Sequence, residues 1–179
     1  LFFKIKPRKK ALKLVTVGLV IVDIVAIASS QLFASTPKIT GEDGKPLAGS
    51  IASLEQVTLN GSSQWITIRG KDVTKPVLLY LGIGGPGAGG FPATFTSLKP
   101  LEDHFVVVNW DQPGTGKSYN SRPIRDLTRQ MVVDDAYALT NLLRERFDQD
   151  KVYVMGLSWG TIVGIDLIQT TSLVESGYA

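Results

Sequence analysis

A serine stands between two glycines near the end of the chain, in the segment Gly156-Leu157-Ser158-Trp159-Gly160. A strand pattern (VYVM) precedes this segment and a helical pattern follows it. A serine in a tight strand-to-helix turn exposes its hydroxyl as a nucleophile, and small residues two positions to either side let the two backbones approach. We therefore predict that Ser158 is catalytic and that the Trp159 N–H faces the oxyanion of an acyl-transfer intermediate. The alternative is a glycine-rich turn in which Ser158 only caps the helix.

A second glycine-rich segment, Gly82-Ile83-Gly84-Gly85-Pro86-Gly87, follows the apolar strand pattern at 77–81. Its letters satisfy the dinucleotide-binding pattern G-x-G-x-x-G, but that site needs a helix to begin at the loop. The next residues, Ala88-Gly89-Gly90-Phe91-Pro92, disfavour a helix. We expect instead a glycine-lined loop at the carboxyl edge of a sheet, where a backbone N–H supplies a second oxyanion donor.

The third segment, residues 111–118 (DQPGTGKS), follows the strand pattern at 105–110 and ends like a phosphate-binding P-loop. A P-loop has glycine at the position that Asp111 occupies here, and Pro113 lacks the N–H that a phosphate nest would use. The sequence therefore favours a tight loop packed beside the serine over a nucleotide site.

In this order, the three segments resemble the proline iminopeptidase-type branch of the α/β-hydrolases. That branch carries H-G-G-P-G, then V-x-x-D-Q-R-G-x-G-x-S, then G-x-S-W-G, and the resemblance covers roughly residues 50–170. It implies a serine hydrolase, peptidase-like, that acts on a small-molecule or peptide substrate through an acyl-enzyme, without metal or cofactor. The chain departs from the pattern at Ile83, where the branch has histidine, and at Pro113, where it has arginine.

The resemblance also assigns roles to individual positions. It makes Ser158 the nucleophile and the N–H groups of Gly85 and Trp159 the oxyanion hole. The remaining glycines of the two motifs shape the loop and the elbow, and they are Gly84, Gly87, Gly156 and Gly160.

The partners that a serine nucleophile needs are missing from the sequence. A base must accept the serine proton and an acid must orient that base, in the chain order serine, acid, histidine. The chain has one histidine, His104, which precedes Ser158 and should lie at the opposite edge of the sheet. Asp166 and Glu175 are the acids after Ser158, and Asp166 is expected on the same helix as the elbow. We expect a truncated hydrolase, inactive by itself; a non-catalytic membrane-attached binding module on the same fold is the alternative.

Hydrophobic patterns predict the elements that position these motifs. Residues 57–59 and 65–69 form a hairpin pattern, residues 77–81, 105–110 and 152–155 read as buried strands, and residues 131–147 and 161–169 as helices. The fold class is α/β: an incomplete α/β-hydrolase fold with a mostly parallel sheet and a leading antiparallel hairpin, preceded by an N-terminal hydrophobic helix. We assign 35–50 to a linker and 51–179 to the N-terminal part of the hydrolase domain.

Residues 1–34 form a separate region, a basic arm followed by an apolar segment. The first 13 residues hold six Lys or Arg, and residues 14–34 are apolar apart from one charge, Asp23, and a few polar residues. This pattern favours a transmembrane anchor. The alternatives are a signal segment cleaved by signal peptidase after Ala28 and a buried helix of a soluble protein. We expect residues 12–34 to contact the membrane, with the arm in the cytoplasm and the catalytic part outside, or secreted if the segment is cleaved.

Charge and composition exclude several other classes. Residues 14–179 hold the remaining 13 basic residues and all 16 acidic ones, so their net charge is 13 − 16 = −3 and no nucleic-acid surface is expected. The absence of cysteine excludes disulfides and thiolate metal sites.

Overall fold

The structure is a computed structural model that describes residues 9–82 and 95–175, and it separates into two compact units, Leu1–Ser35 and Thr36–Ala179. The first unit contains helix α1 (Lys9–Leu32), whose apolar side chains are exposed. Among the described residues, this one helix is long and apolar enough to cross a membrane, over Lys9–Ser30.

The second unit contains a five-stranded sheet with the strand order β1-β2-β4-β3-β5. Strand β2 runs against the other four, since it pairs antiparallel with β1 and β4, whereas β3 pairs parallel with β4 and β5. The strands are β1 (Ile51–Leu59), β2 (Ser62–Gly70), β3 (Val77–Leu81), β4 (Val106–Asp111) and β5 (Val152–Gly156), and the helices are α2 (Arg129–Phe147) and α3 (Trp159–Glu175). The mostly parallel sheet with a leading antiparallel hairpin is confirmed.

The leading hairpin has longer strands and a shorter turn than the sequence pattern predicted. Leu59 pairs with Ser62, so only Asn60 and Gly61 form the turn, with φ angles of 47° and 76°. Two positive φ angles in a two-residue loop are typical of a type I′ turn, which Asn-Gly favours because both residues tolerate the left-handed region.

Side chains cover both faces of the central strands. Every residue of β3 and β4 is buried, as their continuous apolar runs predicted. On one face, Leu79 and Val108 pack with buried residues of α2 and α3, among them Leu139 and Val163. On the other face, Tyr80 packs with the segment before β4, and burial raises the pKa of its phenol.

Strand β5 differs from the prediction of a buried strand. Its burial alternates, because α3 covers the face that carries Val154, whereas Tyr153 is 55% and Met155 43% exposed on the other face. In the described sheet β5 is an edge strand, with β3 as its neighbour. The apolar composition of VYVM therefore does not correspond to burial on both faces.

Buried polar groups stabilise the part of the sheet that lies away from β5, around β2. Arg69 is 5% and Glu102 3% exposed, and the guanidinium Nε donates to the Glu102 carboxylate over 2.7 Å. Arg69 also donates to the Thr36 hydroxyl over 2.7 Å, so the start of the predicted linker is fixed to β2. Asp135 of α2 is fully buried and accepts from the Gln64 side chain over 2.7 Å.

Candidate active site

The segment predicted to be a nucleophile elbow is a sharp turn between β5 and α3. Ser158 is exposed and has a φ of 55°, the left-handed region that a residue with a side chain rarely adopts. The other described non-glycine residues with positive φ are Asn60 and Asp148, whose types tolerate this region in turns and helix caps. Ser158 has no such preference, so its conformation is a strained one that the surrounding backbone contacts impose.

The two flanking glycines allow the close approach of three backbones. A Cβ at Gly156 would lie 2.6 Å from the Gly160 carbonyl oxygen, closer than real Cβ contacts. A Cβ at Gly160 would overlap the carbonyl group of Leu81, at the end of β3. The elbow thus requires glycine at 156 and 160 because backbone atoms, which cannot rotate away, occupy the space of a side chain.

Backbone hydrogen bonds fix the turn but leave its central amides available. Leu157 N–H donates to the Leu81 carbonyl over 3.0 Å, and Gly160 N–H donates to the Leu157 carbonyl over 3.0 Å. Within the described residues, the Trp159 N–H donates no hydrogen bond, as is usual in the first turn of a helix. An exposed serine hydroxyl beside this N–H can present an oxygen nucleophile and one oxyanion donor to a carbonyl group.

Gln112 contacts the elbow from the loop after β4. Its side-chain oxygen accepts from the Trp159 indole N–H over 3.1 Å, and Gln112 is only 5% exposed. This residue was missed as a functional candidate by the sequence analysis. The available signal was its position directly after a buried strand, because the carboxyl ends of parallel strands meet at one edge of a sheet.

The rest of that loop does not form a phosphate nest. The Asp111 carboxylate accepts from Lys117 N–H over 2.7 Å, and Gly116 lies too close to that carboxylate to carry a Cβ. The Ser118 hydroxyl accepts from Trp65 N–H over 2.8 Å, and the Lys117 ammonium lies 4.6 Å from the Trp65 ring centre. These loop groups already have partners within the protein, which supports the expected tight loop beside the serine.

A small cavity of about 90 Å³ lies next to the elbow. Its lining residues come from the loop after β4 and from the starts of α2 and α3, and they include Gln112, Leu127, Arg129, Val132 and Trp159. Arg129 is paired with Asp166 of α3 over 3.1 Å, and the Arg129 side chain remains 63% exposed. The cavity offers an apolar wall with one guanidinium at its rim.

The second glycine loop falls outside the described residues. Ile83, Gly84, Gly85 and Gly87 lie in the range 83–94, so the second oxyanion donor stays a prediction. Gly82, the last described residue before this range, is buried, and its carbonyl lies 3.0 Å from the position of a Cβ at Gly160. The loop therefore starts directly beside the elbow.

In the part of the chain that the structure describes, neither His104 nor Asp166 lies where it could act as base or acid for Ser158. His104 is exposed and directly follows the 3-10 helix Lys99–Asp103, before β4, whereas Ser158 follows the end of β5, at the carboxyl edge. Parallel strands of five or six residues separate these two edges by roughly 15–20 Å. Asp166 lies on α3 in the pair with Arg129. Among the described residues, no cluster of three potential metal ligands exists.

Comparison with known proteins relates this geometry to hydrolases. No protein-family model matches the chain. A protein named a probable aminopeptidase from Bacillus subtilis is 35% identical over 69% of this chain, and the match covers 39% of that relative. A protein named a probable proline iminopeptidase from Leptolyngbya boryana is 31% identical over 54% of this chain and 27% of its own length. The chain thus spans well under half the length of the curated relatives that it matches.

Solved structures show the same fold. A proline iminopeptidase-related protein from Thermus thermophilus matches with a TM-score of 0.54 and 23% identity, over 66% of this chain and 40% of that one. An epoxide hydrolase from Vigna radiata matches with a TM-score of 0.52 and 23% identity, over 65% of this chain and 35% of that one. The chain therefore has an α/β-hydrolase fold, with an additional apolar helix at its N-terminal side, and its sequence is similar to those of the hydrolases named above.

Proposed function

We propose that this chain carries the nucleophile and oxyanion elbow of a membrane-anchored serine hydrolase of the peptidase type, related in activity to prolyl aminopeptidases. The observation that carries the proposal is Ser158, exposed in a left-handed conformation between two glycines whose Cβ positions would clash with backbone atoms. In the proposed reaction, the Ser158 oxygen attacks a substrate carbonyl carbon and forms an acyl-enzyme, and water then releases the acyl group.

The role of Trp159 in this proposal is to stabilise the charge that develops during the attack. As the carbonyl carbon becomes tetrahedral, its oxygen becomes negative, and a preorganised N–H donor lowers the energy of that state. The Trp159 N–H begins α3, so the helix dipole adds a partial positive charge at the same point. Gly85 is proposed as the second donor.

The proposal also includes a low intrinsic activity for this chain. The only histidine, His104, lies at the far edge of the sheet from Ser158, so no imidazole of this chain can accept the serine proton. Without that general base, the Ser158 hydroxyl is a weak nucleophile. Turnover would need a base and an acid from polypeptide beyond the residues described above.

A fluorophosphonate probe tests the nucleophile directly. The Ser158 oxygen would form a bond to phosphorus, the phosphorus–fluorine bond would break, and the serine proton would pass to the buffer. We expect slow labelling of the full chain that rises at least about tenfold with added imidazole, which substitutes for the absent base. Intact mass and peptide mapping measure the adduct and its position.

Two variants make this experiment specific. Ser158→Ala should abolish the adduct, whereas Ser63→Ala, which removes another exposed serine in the hairpin, should leave the labelling rate unchanged. If a well-folded chain gives no adduct at Ser158 even with imidazole, a non-catalytic binding module on the same fold replaces the hydrolase proposal.

Membrane anchoring is supported by α1 and by the charge that precedes it. The 22 residues Lys9–Ser30 span about 33 Å as a helix, close to the thickness of a bilayer core. The basic arm would stay in the cytoplasm and the hydrolase unit would lie outside. We expect the full-length chain in carbonate-washed membranes; a chain shortened after Ala28 and found in the soluble fraction would instead indicate a cleaved signal.

A further inference from the structure

Asp23 is an unusual residue for a helix proposed to span a membrane. It is the only charged residue between positions 14 and 34, and it lies near the middle of this apolar stretch. Within the described residues, no other group bonds to its side chain, and the apolar residues around it are exposed. Ionisable residues in membrane-spanning helices are rare and almost always face another protein surface or a water-filled cavity. Asp23 therefore needs a polar partner that lies at the same depth in the membrane.

Two hydroxyl residues lie on the same side of α1 as Asp23. Thr16 and Ser30 are each seven positions from Asp23, so the three residues fall within roughly 20° of one line along the helix. Thr16 Oγ1 donates to the Leu12 carbonyl over 3.0 Å, and Ser30 Oγ donates to the Ile27 carbonyl over 2.7 Å. Both hydroxyl protons are thus used within the helix, and both oxygens remain able to accept a hydrogen bond. We call Thr16, Asp23 and Ser30 the polar face of α1.

We propose that α1 pairs in the membrane, side by side and in parallel, with α1 of a second copy of this chain through the polar face. The proposal rests on the membrane anchoring proposed above. All copies insert in the same direction because the basic arm stays on the cytoplasmic side. Asp23 then lies at the same depth in every copy, so a second copy brings a hydrogen-bonding group to the position where Asp23 needs one.

The spacing of the polar face fits two helices that wrap around each other. A repeat of seven residues keeps one face in contact along a left-handed pair of helices. Hydrogen bonds between helices stabilise association in membranes, where lipid offers polar groups no alternative partner.

Cysteine cross-linking tests the pairing, since the chain has no cysteine of its own. Leu19→Cys and Ile27→Cys place a thiol next to the polar face, about 40° from Asp23, whereas Ile21→Cys and Val25→Cys place it about 160° away. We expect oxidation of membranes that contain the full chain to give at least about fivefold more disulfide-linked dimer for the first two variants, because a disulfide needs close Cα atoms. Equal yields at all four positions, or adducts with a different protein at positions 19 and 27, would overturn the proposal.

Substitutions of Asp23 in the Leu19→Cys chain test the role of the carboxyl group. Asp23→Leu should lower the dimer yield about tenfold, whereas Asp23→Asn, which keeps hydrogen-bonding capacity, should retain most of it. An undiminished yield with Asp23→Leu would show that the polar face does not direct pairing. A chain absent from carbonate-washed membranes would refute the anchoring itself, whereas a retained chain without face-specific cross-links refutes only the pairing.

Discussion

The two sides of the sheet are stabilised in different ways. On the side of β1, β2 and β4, long paired strands enclose buried polar side chains that bond to each other, such as Arg69 with Glu102 and Gln64 with Asp135. On the side of β5 and α3, apolar side chains are exposed; they are Tyr153, Met155, Leu157, Ile162, Ile165 and Ile168. Extended exposed apolar surfaces usually bind another polypeptide or a membrane. The candidate nucleophile thus lies on the less covered side.

This difference shows what holds Ser158 in place. Side-chain packing contributes little around the elbow, because Leu157 and Ser158 are both exposed. The turn depends instead on backbone contacts, namely the Leu157 N–H bond to Leu81 and the close approach of Gly160 to β3. We therefore expect the buried polar side to control the stability of the unit and the glycine contacts to control the geometry of the site.

The largest effect on stability is expected from the buried pair on the first side. Glu102→Ala leaves the Arg69 guanidinium buried without its carboxylate, which should lower the free energy of unfolding by about 3–5 kcal/mol. Urea unfolding of the full chain in detergent, followed by tryptophan fluorescence, measures this loss.

A half-exposed ion pair is the matched control for Glu102. Glu55 accepts from Arg146 over 2.8 Å, but about a third of each side chain is exposed. Glu55→Ala should lower the free energy of unfolding by no more than about 1 kcal/mol, because water solvates the remaining charge. If Glu102→Ala and Glu55→Ala lowered the free energy of unfolding equally, the buried polar groups would not control the stability of the unit.

An intermediate effect on stability, with a large effect on the site, is expected at Gly160. Gly160→Ala places a methyl group against the Leu81 carbonyl, which should lower the free energy of unfolding by about 1–3 kcal/mol and abolish fluorophosphonate labelling of Ser158. Labelling rate and urea unfolding of the same preparation give both values.

Gly164, one helical turn further along α3, is the control for Gly160. A Cβ there meets only side-chain carbons at 3.6 Å, an ordinary contact distance. Gly164→Ala should keep the labelling rate and change stability little, or stabilise the helix by about 0.5–1 kcal/mol. A loss of labelling with Gly164→Ala would mean that any added bulk in α3, rather than the contact with β3, disturbs the elbow.

The smallest effect is expected from the exposed ion pair of Lys71 with Asp103. Its hydrogen bond raises the pKa of Lys71 above the usual 10.5 and lowers the pKa of Asp103 below the usual 3.8. The stabilisation from Asp103 is present above the unfolded-state pKa of Asp103 and is lost as pH falls through its folded-state pKa. The stabilisation from Lys71 is present below the unfolded-state pKa of Lys71 and is lost as pH rises through its folded-state pKa. At neutral pH we expect Asp103→Asn to leave the unfolding midpoint unchanged within error. An NMR titration in which the Lys71 pKa does not fall in this variant would contradict the assigned cause.

Much of the fold could be predicted because its signals are local. The apolar run at 77–81 matches Val77–Leu81, and the hairpin pattern over 57–69 matches the pairing of β1 with β2, although the turn is shorter than predicted. The elbow pattern predicts a strand, a turn and a helix, since glycine is needed wherever two backbones come this close. The prediction of β5 as buried was wrong because hydrophobic composition does not reveal whether both faces of a strand are covered by other elements.

The sequence by itself determined the residue types of the site: a serine between glycines, a glycine-rich loop after an earlier strand, and a single histidine on the N-terminal side of the nucleophile. Only the tertiary structure decided which atoms surround Ser158. The Leu81 carbonyl lies against Gly160, and Gln112 binds the Trp159 indole, although each pair is far apart in sequence. Such contacts follow from strand order and register, which join distant segments at one edge of the sheet, and periodicity within a single segment carries no information about them.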